Sequence, residues 1–434
     1  MLAVLCCTEI VSWGALYYAF PVLLPAITAD TGWSNAVVSG AFSAGQILSA
    51  CAGFFVGRLV DRRGPRAVMT VGSVLGVVGL LLAASARSVP MLFAGWLVVG
   101  SACAGTLYLP AFAAVTRFFG EGRVRALTAL TVVGGFASTV FAPLTGVISA
   151  HLGWREALVA LAVGVGAVTI PLHAWGLPSL TRGPAPAERG PGSPDEPRRS
   201  ASPYAARPPS AGPVQGWPSA SPRSPGPARM SAPRPVRSVL TSPAFLALAL
   251  ALTIGGFVGV ALVVQLLPAL GEWGVGAATA SVLLGLVGVG QVLGRIVFGP
   301  FASRTSPVGQ TAWVLAGTAA VPLIILLPGT TMLGVVLCLL LGLMRGSLTM
   351  IGATAVAERW GIAHFGAING ALSTPVDLAR AIAPWGGAAL AAGFGSFRML
   401  FVVAAVLAAV ASVLALASKP VGASTESAES TSAP

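Results

Sequence analysis

Charge is what this sequence has least of. Only 9% of its 434 residues are Asp, Glu, Lys or Arg, and there are three histidines and five cysteines. A soluble domain carries about a quarter charged residues, so a chain this poor in charge cannot solvate an ordinary globular surface. Catalytic equipment is equally scarce. The histidines are scattered, no cysteine stands at metal-ligand spacing from one, and no G-x-x-x-x-G-K-[ST] phosphate cradle occurs, which excludes an enzyme and predicts no cofactor and no metal. Cys6, Cys7, Cys51, Cys103 and Cys338 all lie in apolar runs and read as inert helix residues. The net charge of +12 would suit nucleic acid. Yet all but one of the basic residues are arginines, clustered between apolar runs, where membrane orientation accounts for them. A nucleic-acid partner is therefore excluded.

What is abundant is apolar surface. The chain is 55% hydrophobic, with a mean hydropathy of +0.86, far more than a soluble core could hide, so it reads as an all-α polytopic membrane protein. Six spans are predicted in residues 1–176, at about Leu2 to Ala26, Ala36 to Val56, Ala67 to Ala86, Met91 to Thr116, Leu127 to Ala150 and Ala157 to Gly176. No basic segment or cleavage site precedes the first, so no cleaved signal peptide is expected. Residues 177–240 change character, holding nearly half of the prolines, nine arginines and three acids, which predicts a disordered tether. Its basic charge suits an anionic inner leaflet. Six more spans follow within residues 241–418, at about Ala244 to Leu270, Ala277 to Phe298, Thr311 to Leu327, Met332 to Val356, Phe365 to Ala392 and Met399 to Ser418. Residues 419–434 form a small polar tail, predicted to be disordered.

The halves repeat. Ala114-Val115, Gly120 and Ala142-Pro143 recur as Ala355-Val356, Gly361 and Ala383-Pro384, all offset by 241 residues. Gly45-Gln46 and Gly57 find counterparts in Gly290-Gln291 and Gly299, and Ser303 stands where Asp61 stands in the first copy. Twelve transmembrane helices in two pseudo-symmetric six-helix bundles, joined by a long linker, are expected.

Between spans two and three lies G-R-L-V-D-R-R-G-P-R, residues 57–66, with four arginines and an aspartate. Gly57 and Gly64 predict a tight turn and Pro65 the start of the next helix. Its arginines put this loop, both termini and the linker in the cytoplasm, and the first outer loop, Asp30 to Asn35, has no lysine or arginine. The stretch resembles the signature loop of the major facilitator superfamily, G-x-L-x-D-R-x-G-x-R, at Gly57, Leu59, Asp61, Arg62, Gly64 and Arg66. The resemblance implies a secondary transporter of the cytoplasmic membrane working by alternating access, with Gly57, Asp61, Arg62, Gly64 and Arg66 as a gating loop. Its implied partners are a small solute, the lipid bilayer and a proton as candidate coupling ion, with no obligate protein partner. It further implies that helices 1, 4, 7 and 10 line the path.

Charges inside the spans are few, and each is a site candidate because it is costly in lipid. They are Glu9, Arg295, Arg345, Asp377 and Arg380. Asp377 and Arg380 share a helix face. Two arginines around one aspartate leave a net positive charge for an anionic substrate, the alternative being a structural ion pair of Asp377 with either arginine. Arg295 either faces the path or snorkels to the inner surface. Glu9 and Asp377 are candidates for proton or charge coupling, and Tyr17, Tyr18 and Tyr108 join the arginines as candidate substrate contacts. Basic residues in helices 8 and 11 are similar to those of the monocarboxylate and oxalate/formate branch, which by resemblance assigns carboxylate binding to Arg295 and Arg380. The competing branch is proton-coupled export of hydrophobic drugs or metabolites. Trp96 replaces the arginine of its helix 4 motif, four residues ahead of Gly100, and Ser138, Ala142 and Val147 replace three glycines of its helix 5 motif around Pro143 and Gly146.

Overall fold

The computed structural model describes residues 1–119, 122–178, 236–361 and 364–419, which are helical throughout apart from short connections, with no strand among them. Among the described residues, eleven helices are long and apolar enough to cross a membrane. They are α1 (Leu2–Thr31), α2 and α3 (together Asn35–Ala84, divided at Gly64), α4 (Val89–Phe118), α5 (Arg125–Leu152), α6 (Trp154–Gly176), α7 (Pro243–Val264), α8 (Ala277–Ala302), α9 (Pro307–Leu326), α10 (Thr331–Trp360) and α12 (Phe397–Leu416). The twelfth, α11 (Phe365–Phe394), is 30 residues long and less apolar, carrying Asn369, Asp377 and Arg380. Both halves of the chain enter one compact unit. The tether expected over residues 177–240 and the tail after 419 lie almost wholly outside the described residues. At the tether's end the structure differs: Val236–Leu240 is a short helix whose Val239 is buried against α7 and its neighbours.

Serine and threonine start several helices by taking an orphan amide of the first turn. Ser242 accepts from Phe245 N, Ser306 from Gly309 N and Thr330 from Leu333 N. Pro243 and Pro307 occupy the first helical turn, where the missing N–H costs nothing.

The charged stretch 57–66 is not a loop. Asn35–Ala84 is one helical run, broken at Gly64 alone, with φ 81° and ψ 161°. Hence α2 covers 35–63 and α3 covers 65–84. Gly57 sits inside the helix and turns nothing, while Asp61 and Arg62 stand exposed on its projecting end, Gly64 is buried and Arg66 partly so. Loss of hydrophobicity after Val56 marks where the helix leaves lipid, but nothing interrupts its hydrogen-bond ladder until the residue that adopts positive φ and the proline behind it.

The internal repeat is a repeat of contacts. Gly45 of α2 and Gly100 of α4 press backbone to backbone, and Gly290 of α8 and Gly342 of α10 do the same in the second half. A Cβ at any of the four would overlap a neighbouring carbonyl oxygen. Small residues permit this approach, which is how membrane helices associate without a hydrophobic drive. Gly342→Ala is therefore expected to lower stability by about 1–3 kcal/mol, as overpacking does, whereas Gly352→Ala, on the same helix with open space around it, should leave it unchanged or slightly raised. Thermal unfolding in detergent checks both, and equal melting temperatures would contradict the crossing.

Candidate functional site

The site begins with an irregularity in α1. Its regular helix, Leu2–Trp13, is interrupted by a π turn, Gly14–Tyr18, before Ala19–Thr31 resumes. Pro21 follows within a turn, with no N–H to offer the carbonyl four residues back. The wider turn directs two successive tyrosines inward, leaving Tyr17 and Tyr18 only 7% and 4% exposed. Such π turns concentrate at functional places. Trp13 packs on Tyr17 with ring centroids 5.3 Å apart and on Tyr108 of α4 at 5.0 Å. An aromatic wall thus runs from α1 to α4.

The cations of the second half face that wall. Arg345, in the middle of α10, lies beside the Tyr17 hydroxyl and donates to the Gly259 carbonyl of α7 at 3.4 Å. Among the described residues it has no carboxylate within ion-pair distance. Arg295 of α8 donates from Nη1 to the Thr131 carbonyl of α5 and sits beside the Tyr108 hydroxyl. It does not snorkel to the surface. One turn away, Gln291 Nε2 donates to the Tyr18 hydroxyl at 3.3 Å, joining the two halves. Gln291, noted only as part of the repeat, and Trp13 were not among the site candidates, although each lies four residues from one and so on the same helix face. Arg380 rests its side chain against Gly256 of α7.

Of the two expected arrangements, Asp377 shared by two arginines or paired with one, the structure has the second. Asp377 pairs with Arg380 at 3.1 Å, one turn away on α11, and leaves Arg345 alone. Short-range geometry wins, because an i,i+3 pair on one helix needs no alignment of separate helices. The two side chains are 55% and 42% exposed in mid-helix, so they look onto water between the halves and not onto lipid. Trp96 is no site residue either. It is 1% exposed and meets Phe20 and Phe42 edge-on, as packing.

The cleft is closed at one face. Gln265, which caps the end of α7, donates to Ser39 Oγ of α2 at 3.2 Å and to the Pro384 carbonyl of α11 at 2.9 Å. Trp385 N donates to Ser43 Oγ at 3.0 Å, and Thr139 Oγ1 to the Gly285 carbonyl at 3.0 Å. All of these lie towards the face opposite the terminal ends of α1 and α12, Leu2 and Leu416. At the other face, Asp61 and His364 are exposed, and Asp61 makes no ion pair among the described residues. Two shallow apolar concavities of about 310 and 260 Å³, at the α11–α12 turn and on the outer side of α8 to α10, contain none of the candidate residues.

The family described as Major Facilitator Superfamily matches residues 5–343. The chain belongs to that superfamily. Its fold matches a bacterial homolog to the human lysosomal transporter Spinster, in an inward-facing and occupied conformation, with a TM-score of 0.68 at 16% identity over 96% of both chains. The nucleoside transporter NupG gives a TM-score of 0.68 at 12% identity, over 96% of this chain and 98% of that one. Within the superfamily, the chain is 33% identical over 148 residues to monocarboxylate transporter 11 of Mus musculus, 34% of this chain and 30% of that protein. It is also 36% identical over 129 residues to the multidrug resistance protein MdtL of Klebsiella pneumoniae, 30% of this chain and 32% of that one. These matches thus span about a third of the relatives' length.

Because the Asp377 and Arg380 pair is half open to water, Asp377→Asn is expected to change stability by less than about 1 kcal/mol, the range of exposed ion pairs. Thermal unfolding of the variant measures this. A loss of several kcal/mol would mean that the carboxylate also compensates Arg345.

Proposed function

We propose that this chain is a secondary transporter that carries a small organic anion, a mono- or dicarboxylate, across the cytoplasmic membrane by alternating access. One observation carries the reading: Arg345 presents an uncompensated guanidinium at mid-membrane depth, beside a tyrosine hydroxyl and facing the opposite half. An isolated charge there is costly, and an arriving carboxylate cancels that cost while taking two parallel hydrogen bonds from the planar fork. Arg295, with its own tyrosine, and Arg380 make the rest of the cleft positive. The partial likeness to monocarboxylate transporters supports the same class. Arginine-rich ends on the face of the chain termini support a cytoplasmic position for both termini and the 177–240 segment.

In this cycle the state described, with its polar contacts between halves at the face remote from the termini, is the inward-facing one. Substrate entering it bridges Arg345 and the α1 tyrosines, drawing the halves together. The end of α2 then approaches the start of α11, where the helix dipole favours the Asp61 carboxylate. Asp61→Asn is expected to bias the population towards the inward-open state by about 0.5–2 kcal/mol and to slow transport. Cysteine accessibility in the cleft reads the bias, and unchanged accessibility with unchanged transport would reduce 57–66 to a topological stop.

A second reading, export of hydrophobic drugs or metabolites coupled to protons, is favoured by the aromatic wall and by the likeness to MdtL. Arg345 distinguishes the two. Breaking a buried ion pair strands a charge and costs about 3–5 kcal/mol, but Arg345 has no such partner, so Arg345→Ala should fold and reach the membrane. It should lose the thermal stabilisation that a bound carboxylate confers on the native state, and Arg345→Lys, which keeps charge without the fork, should be impaired too. Thermal shift and uptake with lactate and succinate test this. Full carboxylate transport by Arg345→Ala and Arg380→Ala would leave the export reading ahead.

A further inference from the structure

A second repeat of contacts lies at the face remote from the chain termini, away from the cleft. Asp30 stands at the end of α1, and its Oδ2 accepts from the Trp154 indole N–H at 2.9 Å and from Arg155 Nη1, both in the first turn of α6. Arg155 also lies over the Trp154 ring, 4.2 Å from its centre, and donates from Nη2 to the Ala86 carbonyl beyond α3 at 3.3 Å. Glu272 ends Leu266–Glu272, the helical piece that continues α7 past Gln265. Its carboxylate accepts from Ser396 Oγ at 2.9 Å, Phe397 N at 2.7 Å and Arg398 N at 3.1 Å, at the start of α12. The two corners correspond residue by residue: Asp30, Gly32, Gly153 and Trp154 stand 242 places before Glu272, Gly274, Gly395 and Ser396. All four glycines have positive φ, between 71° and 99°. At the opposite face the second half has lost its acid, Ser303 standing for Asp61, yet here both halves keep one.

Both helices fastened in this way are weak short of the fastening. In α1 the π turn Gly14–Tyr18 and Pro25 interrupt the ladder, and α7 breaks at Gln265, with φ −92° and ψ 10°. Helices kink at such places, so an untied end beyond them could swing alone. Bond strength decides what moves instead. The links between the halves at this face, from Gln265, Trp385 and Thr139, are neutral. Each corner is held by a carboxylate, and charge-assisted hydrogen bonds are roughly twice as strong as neutral ones. An exposed ion pair alone holds little, but Trp154 is 4% exposed, and its N–H would lose its acceptor if Asp30 swung away. At Glu272 two of the three donors are backbone N–H groups, which cannot turn aside.

We infer that Asp30 and Glu272 are positioning residues of the transport cycle, clasps that keep the remote ends of α1 and α7 on α6 and α12 while the halves part at this face. The neutral links between halves then break first. Tyr17 and Tyr18 travel with α6, and Gln265 with α12, so each side of the cleft keeps its geometry as the sides separate. This role rests on alternating access and not on which solute is carried.

The test deletes each clasp and replaces it by a covalent one. The cysteine pairs are Asp30→Cys with Arg155→Cys and Glu272→Cys with Ser396→Cys, joined by a short reducible bismethanethiosulfonate linker. In proteoliposomes of the full-length protein, counterflow of labelled lactate should fall several-fold in the unlinked pairs and return on linking. Wild type treated identically controls for Cys7 and Cys51, the exposed natural cysteines. Ser39→Cys with Gln265→Cys, which joins the halves, should be arrested by the same linker until it is reduced. Transport by the clasp pairs only while unlinked overturns the inference, because the ends must then swing free. Equal transport with and without the linker overturns it as well, because the clasps are then idle. If a pair does not fold or lactate is not carried, spin labels at Ala29→Cys and Ala160→Cys, both exposed positions, decide. Asp30→Asn should broaden a distance distribution that is narrow in otherwise unaltered protein. A distribution that this substitution leaves unchanged, or one already broad without it, refutes the role.

Discussion

A guanidinium held at mid-membrane depth without a carboxylate is the constraint on which the other features of this molecule depend. In lipid, such a group is tolerated only where protein dipoles or water surround it. Arg345 meets that condition through the Gly259 carbonyl and the Tyr17 hydroxyl, and Arg295 through the Thr131 carbonyl and Tyr108. Each arginine belongs to the second half of the chain and rests in part on the first. The halves therefore share the task of solvating charge. The exposed Asp377 and Arg380 pair marks the water-facing side of the same cleft.

Close helix packing and one irregular turn give this arrangement its shape. Glycines at the α2–α4 and α8–α10 crossings bring backbones into contact within each half. The π turn in α1 breaks regularity at the level of the cleft and turns Tyr17 and Tyr18 towards it together. Hydrogen bonds from Gln265, Trp385 and Thr139 hold one face shut. They are neutral and few, so a rocking motion between halves need break only a handful of bonds, each of modest net worth in a site where water can replace the partner.

Much of the fold was legible in the chain itself. Apolar run length located the spans, since a membrane helix must satisfy its backbone within its own segment, and the offset repeat announced two related halves. Rarity of charge in the spans singled out Glu9, Arg295, Arg345, Asp377 and Arg380, because composition alone makes each exceptional. The ends of elements were less legible. Hydrophobicity reports the lipid boundary, so the helical extension of α2 to Gly64 and the short helix at Val236–Leu240 passed unseen.

The sequence by itself determined that this is a membrane protein of the major facilitator fold, and which few polar residues its interior contains. The spans and the rarity of charge within them follow from transfer energies, which are local properties of the chain, and the family from the resemblance of residues 57–66 to its signature loop. Only the tertiary structure decided the partners of those residues: that Asp377 takes Arg380 and leaves Arg345 unpaired among the described residues, that Gln291 reaches Tyr18, and that Glu9 is wholly buried. Pairing between helices depends on rotation and depth to within an ångström or two. Those quantities are set by the glycine crossings and the π turn acting together over the whole bundle, and no window of sequence contains them.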